Sequence, residues 1–379
     1  MEWMTVCLFG SYTTAEGYPV NRVLRQGLRQ AGVTVIECRA EVWGRFVHEL
    51  FERATPGRLL RTAARMIWGV LSLTAKYARA PAHDWVLIGY PGYIDVLLAR
   101  LLIGRRRKIV LISFISLFDT AIGDRRAASA TSLPARLLRW LDAAAFRAAD
   151  VVLVDTDEHG DHYAQLFGID RDRFVRSFVG EDDEQFRPLQ APIRKAGEPL
   201  RVLFFGTYVP LHGIDTIVDA AAELQHEEID FTLIGCGEQL DSLQARSLQL
   251  GGRVRFVSEW QSTTQLCEHI GRADICLGVF GTTPKAARVI PYKVFDALAV
   301  GRPVVTRDSP AIREMLSDGE SALLCPAGDG KALAEAIRRL HVDPMLADRV
   351  AAAGHQAFLA HGTPAAIGQR LLQQVEISA

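Results

Sequence analysis

The chain has 379 residues, long for one hydrophobic core, so two domains are the first expectation. Hydrophobic residues make up 49% and charged residues 23%, which excludes a disordered chain. The 43 Lys and Arg against 44 Asp and Glu leave a formal net charge of −1, so no overall field draws nucleic acid to the protein.

Cys7, Cys38, Cys236, Cys267, Cys276 and Cys325 share no metal-ligand or redox-motif spacing, and several sit inside apolar strand patterns. A reducing, cytoplasmic compartment is expected from that usage. The sequence opens on Glu2 without a basic stretch, which argues against a signal peptide. The longest apolar run, residues 109–118, falls well short of the ~20 residues of a membrane span.

In chain order, strand patterns are expected at residues 4–9, 33–38, 85–90, 108–114, 151–155 and 174–179. Between the first two, Val20 to Gln30 carries apolar residues at helical spacing, and Gly32 ends it. Residues 59–77 (LLRTAARMIWGVLSLTAKY) are basic and apolar at helical spacing. The ordinary reading is a helix facing the core; the sharper one is a helix touching a membrane surface. The run Arg105-Arg106-Arg107-Lys108 reads as a solvated turn rather than a nucleic-acid patch. Residues 187–199 hold three prolines, mixed charge and a glycine, and read as a linker. The alternation then restarts, with strands at 201–205, 231–234, 254–257, 275–279, 303–306 and 322–325 and helices including 216–224 and 331–340. The tail over 363–375 reads as a helix that packs back on one domain.

Regular βα alternation implies parallel sheets with right-handed crossovers. The expected fold is therefore α/β, with two Rossmann-like, doubly wound parallel-sheet domains facing a central cleft. The expected divisions are an acceptor-binding domain over 1–190, a donor-binding domain over 200–360, and a C-terminal helix over 361–379. Ligands of such sheets bind at the carboxyl ends of the strands.

Three strand ends carry glycine. FGSYTTAEGYPVNR brackets a polar turn with Gly10 and Gly17, LFFGTYVPLHGIDT holds Gly206 and His212-Gly213, and TLIGCGEQL holds Gly235 and Gly237. None is GxGxxG, so the dinucleotide fingerprint is missing. The stretch RVIPYKVFDALAVGRPVV places Pro291 at a helix's first turn, Gly301 at its stop and a strand after it. Lys285, Arg288 and Lys293 gather at that helix start, as an anion site for a phosphate or diphosphate would require. Asp296 shares a helix face with Lys293; it is either an ion-pair partner or a carboxylate for a ribose diol. DxD and HExxH are both missing, so no metal site is expected and the charge must come from side chains and helix N-termini.

The stretches FFGTYVPLHGIDTIVDAA, FTLIGCGEQL, ADICLGVFG, VIPYKVFDALAVGRPVV and SDGESALLCPAGDGKALAEAI run in one order over residues 200–354. Together they resemble the nucleotide-binding domain of glycosyltransferase family 4, whose members have the GT-B fold. The first half is similar only in layout, through YPGYIDVLLAR, AADVVLVDTDEHGDHYAQLFGI and FVGEDDEQFRP. The resemblance implies transfer of a hexosyl group from a nucleotide-diphosphate sugar to an acceptor hydroxyl, with anomeric retention. It implies no metal and no cofactor apart from the donor substrate. The acceptor stays open among a saccharide, a lipid-linked saccharide and a small molecule, and with it peripheral contact with the inner face of a membrane. A nucleotide-sugar epimerase and a non-catalytic nucleotide-sugar-binding protein are the competing readings.

Residue by residue, the family's two glutamates with seven residues between them fall on Arg288 and Asp296, and its diphosphate-binding Arg and Lys on Thr207 and His212. The expected donor set is Gly10, Gly17, Gly206, Thr207, His212, Gly213, Gly235, Gly237, Lys285, Ile290, Tyr292 and Asp296. Arg288 and Lys293 are expected to act on the leaving diphosphate, with His212 adding a donor. The family's histidine after a central strand of the first domain is not evident near residues 113–116, which leaves Asp119 and Asp124 to handle the acceptor.

Overall fold

The computed structural model describes residues 4–14, 18–42, 56–124, 129, 131–190, 194–195 and 197–377. It divides into two compact units, one of Met1–Val179 with Pro364–Ala379 and one of Gly180–Thr363.

The first unit runs β1 (Thr5–Gly10), α1 (Val20–Gln30), β2 (Thr34–Arg39), α2 (Pro56–Ala78), β3 (Trp85–Ile88), α3 (Tyr93–Ile103), β4 (Lys108–Ile112), α4 (Leu133–Ala148), β5 (Val151–Val154), α5 (Asp157–Phe167) and β6 (Phe174–Arg176). Its six strands pair in parallel in the order β2-β1-β3-β4-β5-β6. Both β3 (WVLI) and β5 (VVLV) are buried along their whole length, as parallel strands covered on both faces must be. The first crossover moves one way along the sheet and the later ones the other. Right-handedness therefore puts α1 on one face and α2, α3, α4 and α5 on the opposite face.

The second unit runs β7 (Leu200–Phe205), α6 (Ile214–Glu223), β8 (Ile229–Ile234), α7 (Leu240–Ser247), β9 (Val254–Val257), α8 (Thr263–Arg272), β10 (Ile275–Leu277), α9 (Tyr292–Ala299), β11 (Val304–Arg307), α10 (Pro310–Arg313), β12 (Leu323–Cys325), α11 (Gly330–Val342) and α12 (Pro344–His361). Its sheet is again six parallel strands, ordered β12-β11-β10-β7-β8-β9. Its core joins Val202, Phe204, Leu233 and Leu277 of the sheet to Ile217 of α6 and Ile337 of α11. Two doubly wound parallel sheets are what the βα alternation predicts.

The last helix, α13 (Pro364–Ile377), packs on α1 of the first unit. A Cβ at Gly27 would stand 2.1 Å from the Pro364 carbonyl oxygen, so only glycine permits this approach. Lys108 Nζ ties the same helix to the sheet by donating to the Val375 carbonyl at 2.9 Å.

Three features differ from the sequence reading. The division between units falls at Gly180 rather than at the proline-rich stretch 187–199. Arg302, buried in the second unit, holds that stretch by donating to the carbonyls of Leu189 (3.0 Å) and Gln190 (2.9 Å). Strands β3, β4 and β10 stop two residues short of the expected ends and β6 three. After β3 and β10, side chains capture the N–H groups two residues on: Asn21 Oδ1 accepts from Tyr90 N at 2.8 Å, and Thr306 Oγ1 from Val279 N at 3.2 Å. Finally, α2 buries Leu73 but exposes Ile67, Trp68 and Leu71, so the core-facing reading of residues 59–77 holds for one stripe only. Among the described residues no helix is long and apolar enough to cross a membrane.

Candidate functional site

In the second unit the strand order reverses between β7 and β10, and a ligand of such a sheet binds outside the carboxyl ends at that reversal. There β7 delivers residues 206–213 and β10 delivers residues 278–291. The two loops are joined at the backbone, with Phe280 N donating to the His212 carbonyl at 2.9 Å. Gly213 (φ +63°) makes the approach possible, since a Cβ there would meet Gly281 N at 2.4 Å. The short helical turns Pro210–His212 and Lys285–Ala287 pack against each other. Gly235 and Gly237, after β8, back onto the carbonyl oxygens of Gly206 and Tyr208, so the third glycine loop buttresses the first.

Lys293 is the electrostatic centre of this edge. It lies in the first turn of α9, buried, with Nζ 4.2 Å from the centroid of the Phe204 ring. Nζ has no hydrogen-bond partner. Burial pushes its pKa down to about 7, while Asp296, one turn further along α9, draws it back up. Gly206 (φ +140°) leaves room for this ammonium: a Cβ there would stand 2.9 Å from Nζ and 3.3 Å from His212 Cε1. The sequence places these residues 87 positions apart, as 293 − 206, and the switch point brings them together.

His212 reaches the same place from the other loop. Its ring stands edge-on to Phe204, with centroids 5.8 Å apart, and Nδ1 donates to the Thr207 carbonyl. Burial and the Lys293 charge hold its pKa well below the ordinary histidine value. The imidazole is therefore neutral at pH 7 with its proton on Nδ1. It offers a ligand the lone pair of Nε2, an acceptor where the sequence suggests a donor.

The other expected donor residues of the second unit sit around this pair. Lys285 is buried in the turn against His212, Arg288 follows that turn and is half-buried, and Thr207 is exposed. Ile290 is buried, so only its backbone is available to a ligand, and Tyr292 opens α9. Pro291 takes the capping position before α9 rather than the first turn, with an extended backbone (φ −73°, ψ 152°). Sequence reasoning missed Arg307, at the end of β11, which donates to the Gly281 carbonyl and fixes the second loop. A cation at a strand's carboxyl end, in VVTRDSP, is the signal that would have found it.

The first unit holds the remaining expected residues. Gly10 lies at its reversal, between β1 and β3, and Ser11 N and Oγ both donate to Asp95 Oδ2 at 2.7 and 2.8 Å. Burial pushes the Asp95 carboxyl up to about 6 against the pull of those two bonds. Asn21 donates to the carbonyls of Thr13 and Tyr90, locking the loops after β1 and β3 together. Gly17 lies outside the described residues, as does the side chain of Asp124.

Asp119 opens a π-helical turn (Asp119–Asp124) after β4, and His162 Nε2 of α5 comes within 3.4 Å of its Oδ1. Beside them, Asp155 Oδ1 accepts from buried His159 Nδ1 at 2.5 Å. Histidines do stand at this edge, then. They come from α5 after β5, not from residues 113–116 after β4.

Residues 199–343 match the sequence family described as Glycosyl transferases group 1. Among curated proteins, the chain is 26% identical over 237 residues to the lipopolysaccharide core biosynthesis glycosyltransferase LpsE of Rhizobium meliloti. That stretch covers 60% of this chain and 64% of the relative, so the chain spans less than two thirds of that relative's length. Among solved structures, sucrose-phosphate synthase from Thermosynechococcus elongatus superposes with a TM-score of 0.71 at 18% identity, over 99% of this chain and 100% of that one. HepE of Anabaena, solved in complex with UDP, gives 0.66 at 13% identity over 99% and 100%. By sequence the second unit matches the group 1 glycosyl transferases over residues 199–343, and by fold the chain is a two-domain α/β protein of the GT-B type.

Proposed function

We propose that the protein is a glycosyltransferase that moves a sugar from a nucleoside diphosphate sugar to an acceptor hydroxyl. The observation that carries this reading is the Lys293 ammonium, buried at the switch point of the second sheet without a hydrogen-bond partner. A buried cation in that condition is costly, and a diphosphate supplies both the opposite charge and the missing acceptor. The group 1 match over the same residues and the UDP held by HepE support the same class of ligand.

In this reading the bond between the anomeric carbon and the diphosphate oxygen breaks with its electrons left on oxygen. Charge therefore grows on the leaving group in the transition state, where Lys293 and Arg288 act. Arg288 offers a planar fork to two phosphate oxygens, and Lys293 a point charge held by Phe204. Asp296 accepts from the ribose diol, and His212 Nε2 from a sugar hydroxyl. In the first unit, Asp119 with His162 handles the acceptor hydroxyl. Retention of anomeric configuration and membership of family 4 rest on the sequence resemblance.

A product assay tests the proposal. UDP-, GDP-, ADP- and dTDP-sugars are supplied with and without a panel of saccharide acceptors, UDP-glucose first. Acceptor-dependent release of the nucleoside diphosphate with a new glycoside supports transfer. Epimerised sugar without acceptor, or binding with no turnover, overturns it.

A further inference from the structure

We propose that Asp142 is a positioning residue of the acceptor edge, a buried carboxylate that fixes the turn carrying Asp119. This rests on the proposed transfer, in which Asp119 with His162 handles the acceptor hydroxyl. After β4 the chain runs through Ser113 to Ser116 and turns helical at Leu117. The first N–H groups of any helix lack partners within it. Ser116 caps this one, its Oγ accepting from Asp119 N at 3.0 Å. Helix α4 brings Asp142, 0% exposed, to the same end. Its Oδ2 accepts from Ser116 Oγ at 2.6 Å and from Phe118 N at 2.9 Å, and its Oδ1 from Leu117 N at 3.3 Å. Three donors thus end on one carboxylate, and through Ser116 that carboxylate holds the Asp119 backbone. The Asp119 side chain in turn meets His162 Nε2 at 3.4 Å.

Packing alone gives no reason for this charge. Asp142 stands on the buried face of α4 with Ala135, Ala145 and Phe146, where an apolar residue is the ordinary choice. Burial pushes its carboxyl up to about 6, while the bonds from Ser116, Phe118 and Leu117 draw it back down; the nearby Asp119 adds to the rise. A carboxylate kept there against burial is explained by the turn it anchors. That turn is π-helical over Asp119–Asp124, a rare form that concentrates at functional sites. Unfavoured backbone of this kind persists where its surroundings over-determine it, and Asp142 accepts three of the bonds that do so.

The test joins a readout that needs turnover to one that does not. Hydrogen exchange followed by mass spectrometry reads the peptide over residues 113–122 in the full chain without nucleotide. Asp142→Asn keeps the size of the side chain and one acceptor oxygen but loses the charge. Exchange in that peptide should quicken about tenfold or more, with peptides of the second unit unchanged. With the donor and acceptor that the product assay identifies, kcat per UDP-binding site should fall roughly ten- to a hundredfold, while UDP affinity stays within about twofold of wild type. Ser116→Ala, which cuts only the link from Asp142 to Asp119, should move both readings the same way by less, and it decides the matter should Asp142→Asn fail to fold. A merely structural role would lower the melting temperature and leave kcat per UDP-binding site at the wild-type value. That result, or exchange equal to wild type in both variants, would overturn the proposal. A wild-type protein without acceptor-dependent transfer would instead overturn the proposed function, and the exchange readings would still show whether Asp142 holds the turn.

Discussion

Replacing Lys293 with methionine should stabilise the protein and disable it. The folded state holds the Lys293 pKa at about 7, against an ordinary 10.5, because burial disfavours its charge. Between those values the unfolded chain binds more protons than the folded one, so stability rises with pH through that window. At pH 7 the unfolded lysine is charged and the folded one is charged about half the time; the linked cost is about 4 kcal/mol. By pH 10 the same arithmetic leaves under about 1 kcal/mol. Methionine has the length of the lysine stem and no charge, so Lys293→Met reproduces the neutral folded form at every pH. Scanning calorimetry at pH 7 should show the variant's transition raised by up to on the order of 10 °C, a gain that nearly vanishes at pH 10. Saturating UDP should raise the wild-type transition and raise the variant's much less. A variant less stable than wild type at pH 7, or a difference that does not shrink toward pH 10, would refute the argument.

Arg288→Ala should lower kcat by roughly ten- to a thousandfold in the product assay, and Arg288→Lys should recover only part of it. Asp296→Ala should weaken UDP binding in calorimetric titration by about 1.5–3 kcal/mol, the worth of a hydrogen bond to a charged group. Asp95 has its folded pKa raised to about 6 from an ordinary 3.8, so stability falls as pH rises through that interval. Asp95→Asn, which keeps an acceptor for Ser11, should add up to about 3 kcal/mol at pH 8 and little at pH 4 in urea titrations. Turnover should survive EDTA, because Lys293 and Arg288 meet the leaving-group charge; loss restored specifically by manganese or magnesium would contradict that.

The sheets were legible because each strand is an apolar run between helical patterns, and parallel connection follows from alternation alone. The second-unit site was half legible. Glycines and cations can be read from their order along the chain, but the nearness of Gly206, His212 and Lys293 depends on the loop contact between Phe280 and His212. The protonated nitrogen of His212 depends on the Thr207 carbonyl, which no spacing reveals. His162 and Asp119 lie 43 residues apart and meet only because β4 and β5 are neighbours. Spacing in α2 announces a helix but not which apolar stripe faces inward, so Trp68 and Leu73 look alike until the fold buries one of them. Prolines at 188, 192 and 199 suggest a linker, yet Arg302 fastens Leu189 and Gln190 of that stretch to the second unit.

The most direct test of the account is proton uptake when UDP binds. At pH 8 about nine-tenths of the free protein carries neutral Lys293, and a diphosphate on that nitrogen should restore its charge. Calorimetric titration of UDP in buffers of different ionisation enthalpy should therefore show uptake of about 0.9 proton beyond that of Lys293→Met. Equal uptake by wild type and Lys293→Met, with UDP bound to both, would place the diphosphate elsewhere.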